Sequence, residues 1–330
     1  MLIFRTTYKL GDILKKIKNI FVKFFYDWRH FWFKIAHYNF RCEYPFIVIL
    51  PSKIWNKVKL KKFKLIYSFL DKKYCKFIDE YKTKKIKTWI NTKRIWMIRR
   101  QWEENMPEIV KICYRNLKKY NCWFEVTLLT NENYKDYIDL PDFILEKVSK
   151  GLVSLTHLAD ISRMKLLSLY WGIWVDATMF ICNDVLKEFS DINLNTSYPL
   201  KWNKKNFVFD KWTVFFIWWK TNRLFSFVYD FFIQYLKDYD RLINYFFMDY
   251  VIHIAYNHFD DVKRDIDGCT IKNEEVYTLF DIFNEKYDEK KYKEILKNWF
   301  FKLSFKWKLD TKTADWEMTN YWKFLEDNKL

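Results

Sequence analysis

The sequence predicts an α/β domain with a largely parallel sheet, preceded by a basic and mainly helical segment. Three observations lead to this prediction. Segments with strand and helix patterns alternate between residues 93 and 181, the order that builds parallel sheets. Lys and Arg are concentrated in residues 1–100, where 26 of them stand against 6 Asp and Glu. Half of the 330 residues are hydrophobic, so the chain can bury a large core.

Residues 1–92 are predicted to form the basic helical extension. Apolar residues recur at helical spacing over 8–37 with lysines between them, which predicts one amphipathic helix. The apolar run 46–50 fits a strand or a buried turn, and 57–87 has a helical pattern. Such a basic block usually meets phosphate, in nucleic acid or on an anionic membrane. A helix packed on its own domain, with a solvated lysine face, is the alternative.

Residues 93–330 are predicted to form the α/β domain. Strands are expected at 94–98, 123–130 and 173–181, and within 206–218. Pro107 opens a helix at a favoured early position, with apolar side chains along one face. Further helices are expected at 131–137, 141–150, 155–170, 223–236, 242–257 and 314–326.

Cysteine spacing and hydropathy weigh against several classes of protein. The six cysteines include no C-x-x-C pair, so neither a zinc site nor a redox motif is predicted. Reduced thiols in the cytosol are the simpler interpretation. No uncharged apolar run of about 18 residues occurs, so no transmembrane helix is predicted. Lysines interrupt the N-terminal segment, which therefore lacks the apolar stretch of a signal peptide. We expect a cytoplasmic protein.

Asp160, Arg163 and Asp176 best fit a chemical role. Asp160 and Arg163 lie three positions apart on a predicted helix and share one face. Asp176 follows an apolar segment at the end of a predicted parallel strand, where α/β sheets bind ligands. A carboxylate can hold a divalent cation or a sugar hydroxyl, and an arginine can meet phosphate. By spacing alone, a surface Asp–Arg pair and a turn-capping Asp are the better explanation.

Several motifs are similar to those of one family. In chain order they are Pro107-Glu-Ile-Val, Asn131-Glu-Asn-Tyr, Leu140-Pro, Lys147, Gly151, His157-Leu-Ala-Asp-Ile-Ser-Arg163 and Tyr170-Trp-Gly-Ile-Trp-Val-Asp-Ala-Thr178. With them the chain resembles the capsular polysaccharide synthesis protein family, related to DXD-containing sugar-binding glycosyltransferases that include initiating mannosyltransferases. The resemblance is dense over 95–185 and weaker to 325, through Lys302-Leu-Ser-Phe-Lys306 and Tyr321-Trp-Lys-Phe-Leu325.

The resemblance implies a GT-A type, Rossmann-like nucleotide-sugar transferase domain over residues 93–330. Its expected activity is transfer of a sugar from a UDP- or GDP-linked donor to a surface or capsular glycan, with retention at the anomeric carbon. Residues 1–90 would then hold the protein on the anionic inner face of the plasma membrane, near a lipid-linked or growing glycan. The partners expected are therefore a nucleotide sugar, a glycan acceptor and a membrane surface.

The resemblance also implies roles for individual residues. The expected donor-side residues are Asp160, Arg163, Thr178 and Ile95. Asp176 is the expected catalytic residue and, with Thr178, the expected ligand of Mn²⁺ or Mg²⁺. Related transferases have Asp-x-Asp where this chain has Asp-Ala-Thr, so Thr178 or the diphosphate has to replace a carboxylate ligand. Asp249 and His157 are expected on the acceptor side, and a helix-surface role for Asp249 is the alternative.

Glycine is scarce and tryptophan abundant, with 4 Gly and 17 Trp in the chain. Trp102, Trp171 and Trp322 stand where the family pattern has glycine. We expect backbone strain at such positions, because glycine at a helix C-terminus commonly has positive φ. We also expect Trp171 to press on the donor pocket. One hypothesis is that the source organism reads UGA codons here as glycine, which UGG codons would contradict; the other is a divergent paralogue with reduced or lost activity.

Two other function classes stay open. A transferase-like scaffold without full activity would keep the fold and lose the chemistry. A nucleic-acid-binding protein would use the interleaved lysines and aromatics of residues 1–100 for phosphate contacts and base stacking. Aromatics at helical spacing more often belong to a core, and no recognised nucleic-acid motif is present, so nucleic acid is the less favoured partner.

Overall fold

The structure, a computed structural model, describes residues 10–43, 52–87, 90–99, 103–183, 194–196, 211–219, 222–268, 273 and 275–329. Within them the chain is mixed α/β, as the sequence predicts. Four helices come first: α1 (Leu10–His30), α2 (Phe33–Glu43), α3 (Ser52–Lys73) and α4 (Cys75–Thr83). The predicted element at 46–50 lies outside the described residues. No described helix has both the length and the apolar composition that crossing a membrane requires.

The first two helices form a hairpin, so the prediction of a single helix over 8–37 is wrong. Asp27 of α1 is buried and accepts a hydrogen bond from Nδ2 of Asn39 in α2 at 3.0 Å. Asn39 also donates to the carbonyl oxygen of Ile243 at 2.8 Å. Between the helices Phe31 is buried against Phe69, with 5.5 Å between ring centroids. One straight helix would separate Asp27 from Asn39 by about 18 Å, so the buried polar pair requires the chain to turn.

Seven strands are described. They are β1 (Ile90–Ile98), β2 (Glu125–Leu129), β3 (Tyr170–Val175), β4 (Met179–Ile181), β5 (Leu194–Thr196), β6 (Phe216–Trp219) and β7 (Phe300–Lys302). Five form a sheet in the order β2-β1-β3-β6-β5. The first three are parallel to one another, as predicted, whereas β6 is antiparallel to both β3 and β5.

The strand predicted over 173–181 is two strands in two sheets. β3 ends at Val175, and the amide of Met179 donates to the carbonyl oxygen of Asp176 at 2.9 Å, which closes a turn. β4 then pairs antiparallel with β7, so that Met179 stands opposite Lys302. This change of sheet leaves Asp176 and Thr178 in the turn at the end of β3, instead of in the middle of a strand.

Nine further helices lie within the described residues. They are α5 (Glu108–Lys119), α6 (Asp142–Ser149), α7 (Leu155–Leu169), α8 (Arg223–Asp238), α9 (Phe247–His258), α10 (Asp260–Asp267), α11 (Thr278–Asp281), α12 (Glu289–Ile295) and α13 (Asn320–Asp327). Pro107 directly precedes α5, whose predicted apolar face is buried. The helix predicted over 131–137 is only a 3₁₀ turn, Tyr134–Asp136.

The N-terminal helices share a hydrophobic core with the rest of the chain. Ile66 and Ile78 belong to the same buried cluster as Phe231 of α8. Polar bonds reinforce the contact, since the hydroxyl of Tyr74 donates to Asp238 at 2.9 Å. The boundary proposed after residue 92 falls within β1 and stays a prediction, but the two sides are packed together.

Two of the three tryptophans at expected glycine positions are accommodated without strain. Trp171 lies in β3 and stacks on Phe124, with 5.9 Å between ring centroids. Trp322 lies in the first turn of α13. The described non-glycine residues with positive φ include neither of them, and neither lines the cavity described below. The strain predicted at these two positions and the pressure of Trp171 predicted on the donor pocket are therefore wrong, and Trp102 lies outside the described residues.

Candidate active site

A cavity of about 800 Å³ opens at the C-terminal ends of β1 and β3. This volume is within the usual range for small-molecule sites. Its walls come from the ends of both strands, from α7, from α11 and from the loop that follows β7. The charged lining residues among those described are Arg163, Asp176, Asp281, Lys302, Lys306 and Lys308, and Thr178 adds a hydroxyl. The position agrees with the rule that parallel sheets bind ligands beyond the carboxyl ends of their strands.

Asp176 is held from several sides. Its Oδ2 accepts a hydrogen bond from the ammonium of Lys302 at 2.7 Å. Its Oδ1 accepts one from the indole Nε1 of Trp174 at 2.8 Å, and Nη2 of Arg163 lies 3.7 Å from the same oxygen. The amide of Asp176 donates to the carbonyl oxygen of Phe215 at 2.8 Å. The carboxylate therefore has a fixed orientation at the cavity wall.

Asp160 and Arg163 are brought together as their spacing predicts, but they are buried and not a surface pair. Their ion pair measures 2.9 Å, and both residues are at least nine-tenths buried. The guanidinium of Arg163 lies over the Trp174 ring, 4.7 Å from its centroid, and Nη1 donates to the carbonyl oxygen of Val214. Nε of Arg163 is buried and has no hydrogen-bond partner within the described chain.

The pKa values of Asp160 and Asp176 are shifted in opposite directions. Burial raises the pKa of Asp160 to about 7, against the opposing effect of Arg163. Burial also acts to raise the pKa of Asp176, but Lys302 and Arg163 together hold it below its usual value. Asp176 is thus an anion at neutral pH, whereas Asp160 neutralises Arg163 only in part.

The predicted acceptor-side residues lie outside the cavity lining. The imidazole of His157 is within 2.9 Å of the hydroxyl of Ser154 through Nδ1 and within 3.1 Å of the Tyr245 carbonyl oxygen through Nε2. Both bonds suit a neutral ring beside Ser154, the N-cap of α7, and burial lowers the pKa of His157. Asp249 accepts a hydrogen bond from the indole of Trp212 at 3.1 Å. Their acceptor roles stay predictions.

Ile95 is the predicted donor-side residue that the geometry does not support. Its side chain has no exposed surface and lies in β1 between Val126 of β2 and Ile173 of β3. It contributes to the core beneath the site and does not line the cavity.

The model of the capsular polysaccharide synthesis protein family matches residues 47–323. The chain belongs to this family. The match covers most of the chain, including α3, α4 and the seven described strands, and it crosses the boundary proposed after residue 92. No curated protein and no solved structure matches the chain. Membership links the protein to polysaccharide synthesis and thereby to a transferase-like role.

The residues around Asp176 do not suit the divalent cation that the resemblance implies. Metal-ligand oxygens lie about 2.0–2.1 Å from Mg²⁺, and the oxygens of Asp176 already face an ammonium and an indole N–H. Thr178 offers a hydroxyl in place of a carboxylate. Among the described residues no group of three His, Cys, Asp or Glu could hold a metal ion. We derive no step through a metal, and the ligand roles of Asp176 and Thr178 stay predictions.

Sequence reasoning missed the role of Lys302. The residue was noted only as the first of a motif shared with the family. A signal was present, because Lys302 follows the apolar residues Phe300 and Phe301, as Asp176 follows an apolar strand. The contact itself depends on the pairing of β4 with β7, which no local pattern reveals.

Proposed function

We propose that the protein is a glycosyltransferase that moves a sugar from a UDP- or GDP-linked donor to a surface or capsular glycan. The observation that carries this proposal is the position of Asp176 at the end of a parallel strand, in a cavity that also presents Arg163 and Lys302. Membership in a polysaccharide synthesis family supports it. A GT-A type fold and retention of the anomeric configuration are parts of the proposal that rest on the resemblance.

The cavity has groups for each part of a nucleotide sugar. Arg163 and Lys302 supply positive charge for the diphosphate, and ionised Asp176 accepts hydrogen bonds from ribose or sugar hydroxyls. The aromatic rings of Tyr277 and Trp307 in the lining offer faces on which a base or a sugar ring can stack. The apolar share of the wall excludes water, which strengthens these charge interactions.

Transfer makes one bond and breaks another at the anomeric carbon. The bond from that carbon to the donor diphosphate breaks, and the departing diphosphate keeps the electron pair. The acceptor hydroxyl oxygen forms the new bond, and its proton passes to the departing diphosphate. Fixed positive groups beside the diphosphate stabilise the charge that develops there, which is where electrostatic catalysis is most effective.

Calorimetric titration with a panel of UDP- and GDP-sugars in the presence of Mn²⁺ tests the proposal. We expect one nucleotide class to bind and Asp176→Ala to weaken the binding. Binding without turnover in every acceptor mixture would favour the transferase-like scaffold. If no nucleotide sugar binds, the proposed function is wrong.

The helical hairpin at the N-terminus carries an exposed aromatic patch that we assign to the membrane surface. The patch consists of Phe21, Phe25, Trp28, Trp32 and Phe33. Each of these side chains is between 44% and 55% exposed. Exposed basic side chains described on the same two helices include Lys18, Arg29 and Lys34. Aromatic rings with basic neighbours on one face are typical of helices that lie in the interface of an anionic bilayer.

The hairpin lies beside the cavity. Lys23 of α1 is close enough to His157 to lower its pKa, after the larger effect of burial. His157 is bonded to Tyr245, which lines the cavity. We propose that a membrane bound by the aromatic patch brings a lipid-linked acceptor to the protein that holds the donor.

A further inference from the structure

Lys302 occupies the place beside Asp176 where a divalent cation would be expected. The lysine belongs to β7, and its amide donates to the carbonyl oxygen of Val276 at 2.7 Å. Pairing of Met179 with Lys302 brings the lysine opposite the turn that carries Asp176. Its side chain is only 20% exposed, and its ammonium is 2.7 Å from Oδ2 of Asp176. A strand and an ion pair thus fix the cation at the cavity wall.

The ammonium keeps capacity for a second anion. It has three N–H donors, and the contact with Asp176 uses one of them. The ammonium also lies over the ring of Phe215, 5.2 Å from its centroid, a cation–π contact that leaves N–H donors available. Lys302 lines the cavity together with Arg163, so that two cationic side chains face the same volume.

The anionic groups present do not cancel this positive charge. The carboxylates in the lining are Asp176 and Asp281 among the described residues, against Arg163, Lys302, Lys306 and Lys308. Asp160 pairs with Arg163 from outside the lining, and burial favours its neutral form. Nε of Arg163 is a buried donor with no partner within the described chain. An incoming dianion would therefore gain charge-assisted hydrogen bonds without needing to bring a metal.

We propose that Lys302, with Arg163 beside it, binds the diphosphate of the donor in place of a divalent cation. This inference rests on the proposed function and specifies how its donor site recognises phosphate. Asp176 then orients Lys302 and accepts donor hydroxyls. Because the positive charge is part of the fold, nucleotide diphosphate binding does not depend on Mn²⁺ or Mg²⁺.

Calorimetric titration of the full chain with UDP and with GDP tests the inference. Each titration is run in EDTA and again in Mn²⁺, for the wild type, Lys302→Met, Lys302→Arg and Lys297→Met. The last is a matched control, since Lys297 is 71% exposed and pairs with Glu294 away from the cavity. Circular dichroism checks that each variant folds, and the double variant Asp176→Asn with Lys302→Met replaces Lys302→Met if an unpaired Asp176 prevents folding.

We expect wild-type affinity in EDTA to match that in Mn²⁺ within about threefold, because the protein supplies the charge. Lys302→Met should weaken binding by about 10- to 100-fold, the worth of a charge-assisted hydrogen bond, and Lys302→Arg should restore most of it. Lys297→Met should bind like the wild type. Binding that requires Mn²⁺, or that survives Lys302→Met unchanged, would overturn the inference alone. Failure of both nucleotides to bind in any condition would overturn the proposed function with it.

Discussion

Trp316 has a backbone conformation that its side chain disfavours. Its φ is 64°, and its side chain is 78% exposed. The turn is closed by the amide of Thr313, which donates to Glu317 at 2.8 Å, and by the amide of Trp316, which donates back to Thr313 at 3.1 Å. Hairpin turns of this kind favour glycine at the left-handed position. The hypothesis that some tryptophans stand at glycine positions is therefore supported structurally at Trp316.

We predict that Trp316→Gly raises the free energy of unfolding by about 1 kcal/mol, because it relieves the left-handed strain. The loss of the contact with Lys312, 5.1 Å from the ring centroid, offsets this gain only in part. Urea denaturation measures the change. Trp123→Gly is the control, since Trp123 is also exposed but has no positive φ. Equal destabilisation by both substitutions would contradict the account of strain.

Asp249 gives the stability a defined pH dependence. Burial raises the pKa of its carboxyl to about 6, against the lowering effect of the Trp212 hydrogen bond. The unfolded chain releases this proton near pH 4, so the folded chain binds more protons between about pH 4 and about pH 6. The stability that the protonated group contributes is therefore present below about pH 4 and lost as the pH rises through about 6.

We predict that Asp249→Asn becomes more stable relative to the wild type as the pH rises across this window. The slope is at most about 1.4 kcal/mol per pH unit, the value for one proton, and it levels off above about pH 7. Urea denaturation at several pH values measures it. Asp139→Asn, which removes an exposed carboxylate, should run parallel to the wild type. If the stability of Asp249→Asn also changed with pH as that of the wild type does, the pKa of Asp249 would not be raised.

At the scale of elements, β1 and β3 approach each other closely at Gly172. A Cβ atom at this position would lie 2.4 Å from the carbonyl oxygen of Arg94 and 2.9 Å from the indole nitrogen of Trp96. The first of these is backbone and cannot move without parting the strands. This contact aligns β3, and β3 carries Asp176 into the cavity.

Gly172→Ala should lower the free energy of unfolding by about 1–3 kcal/mol, the usual cost of overpacking a core. It should also weaken donor binding, because the end of β3 shifts. Gly151→Ala is the control, since Gly151 has open space around it and strain only from its φ of 68°. It should lower stability by about 1 kcal/mol and leave donor binding unchanged. If Gly172→Ala were as stable as the wild type, the close approach of β1 and β3 at this residue would be contradicted.

Local patterns predicted most elements of the α/β region. The buried face of α5 follows directly from its spacing and from Pro107. The break between β3 and β4 was not predictable, because apolar residues flank the turn at Asp176 on both sides and only pairing with β7 separates them. The same distant pairing explains why Asp160, Arg163 and Asp176 were predicted to form a site but Lys302 was not.

At the scale of the whole molecule, the N-terminal helices belong to the body while one face of their hairpin stays exposed. We predict that the protein binds vesicles containing anionic phospholipid. Phe25→Ser combined with Trp28→Ser should weaken this binding by at least about tenfold, because two rings no longer enter the interface. Co-sedimentation measures the bound fraction, and Trp123→Ser, at an exposed tryptophan outside the aromatic patch, is the control.

Two results would contradict the membrane assignment. One is equal binding of the double variant and the wild type to the vesicles. The other is no vesicle binding together with a salt-dependent mobility shift of single-stranded DNA, which would favour nucleic acid as the partner of the basic residues in 1–100.

Release of nucleotide diphosphate from a UDP- or GDP-sugar tests the central claim most directly. The control for Asp176→Asn is Asp230→Asn, because Asp230 also pairs with a lysine at 2.7 Å but lies away from the cavity. We predict release by the wild type and by Asp230→Asn, and a loss of about 100-fold or more in Asp176→Asn, as expected when an oriented charge at the reacting centre is removed. Release that survives Asp176→Asn would contradict the assignment of this cavity as the site of glycosyl transfer.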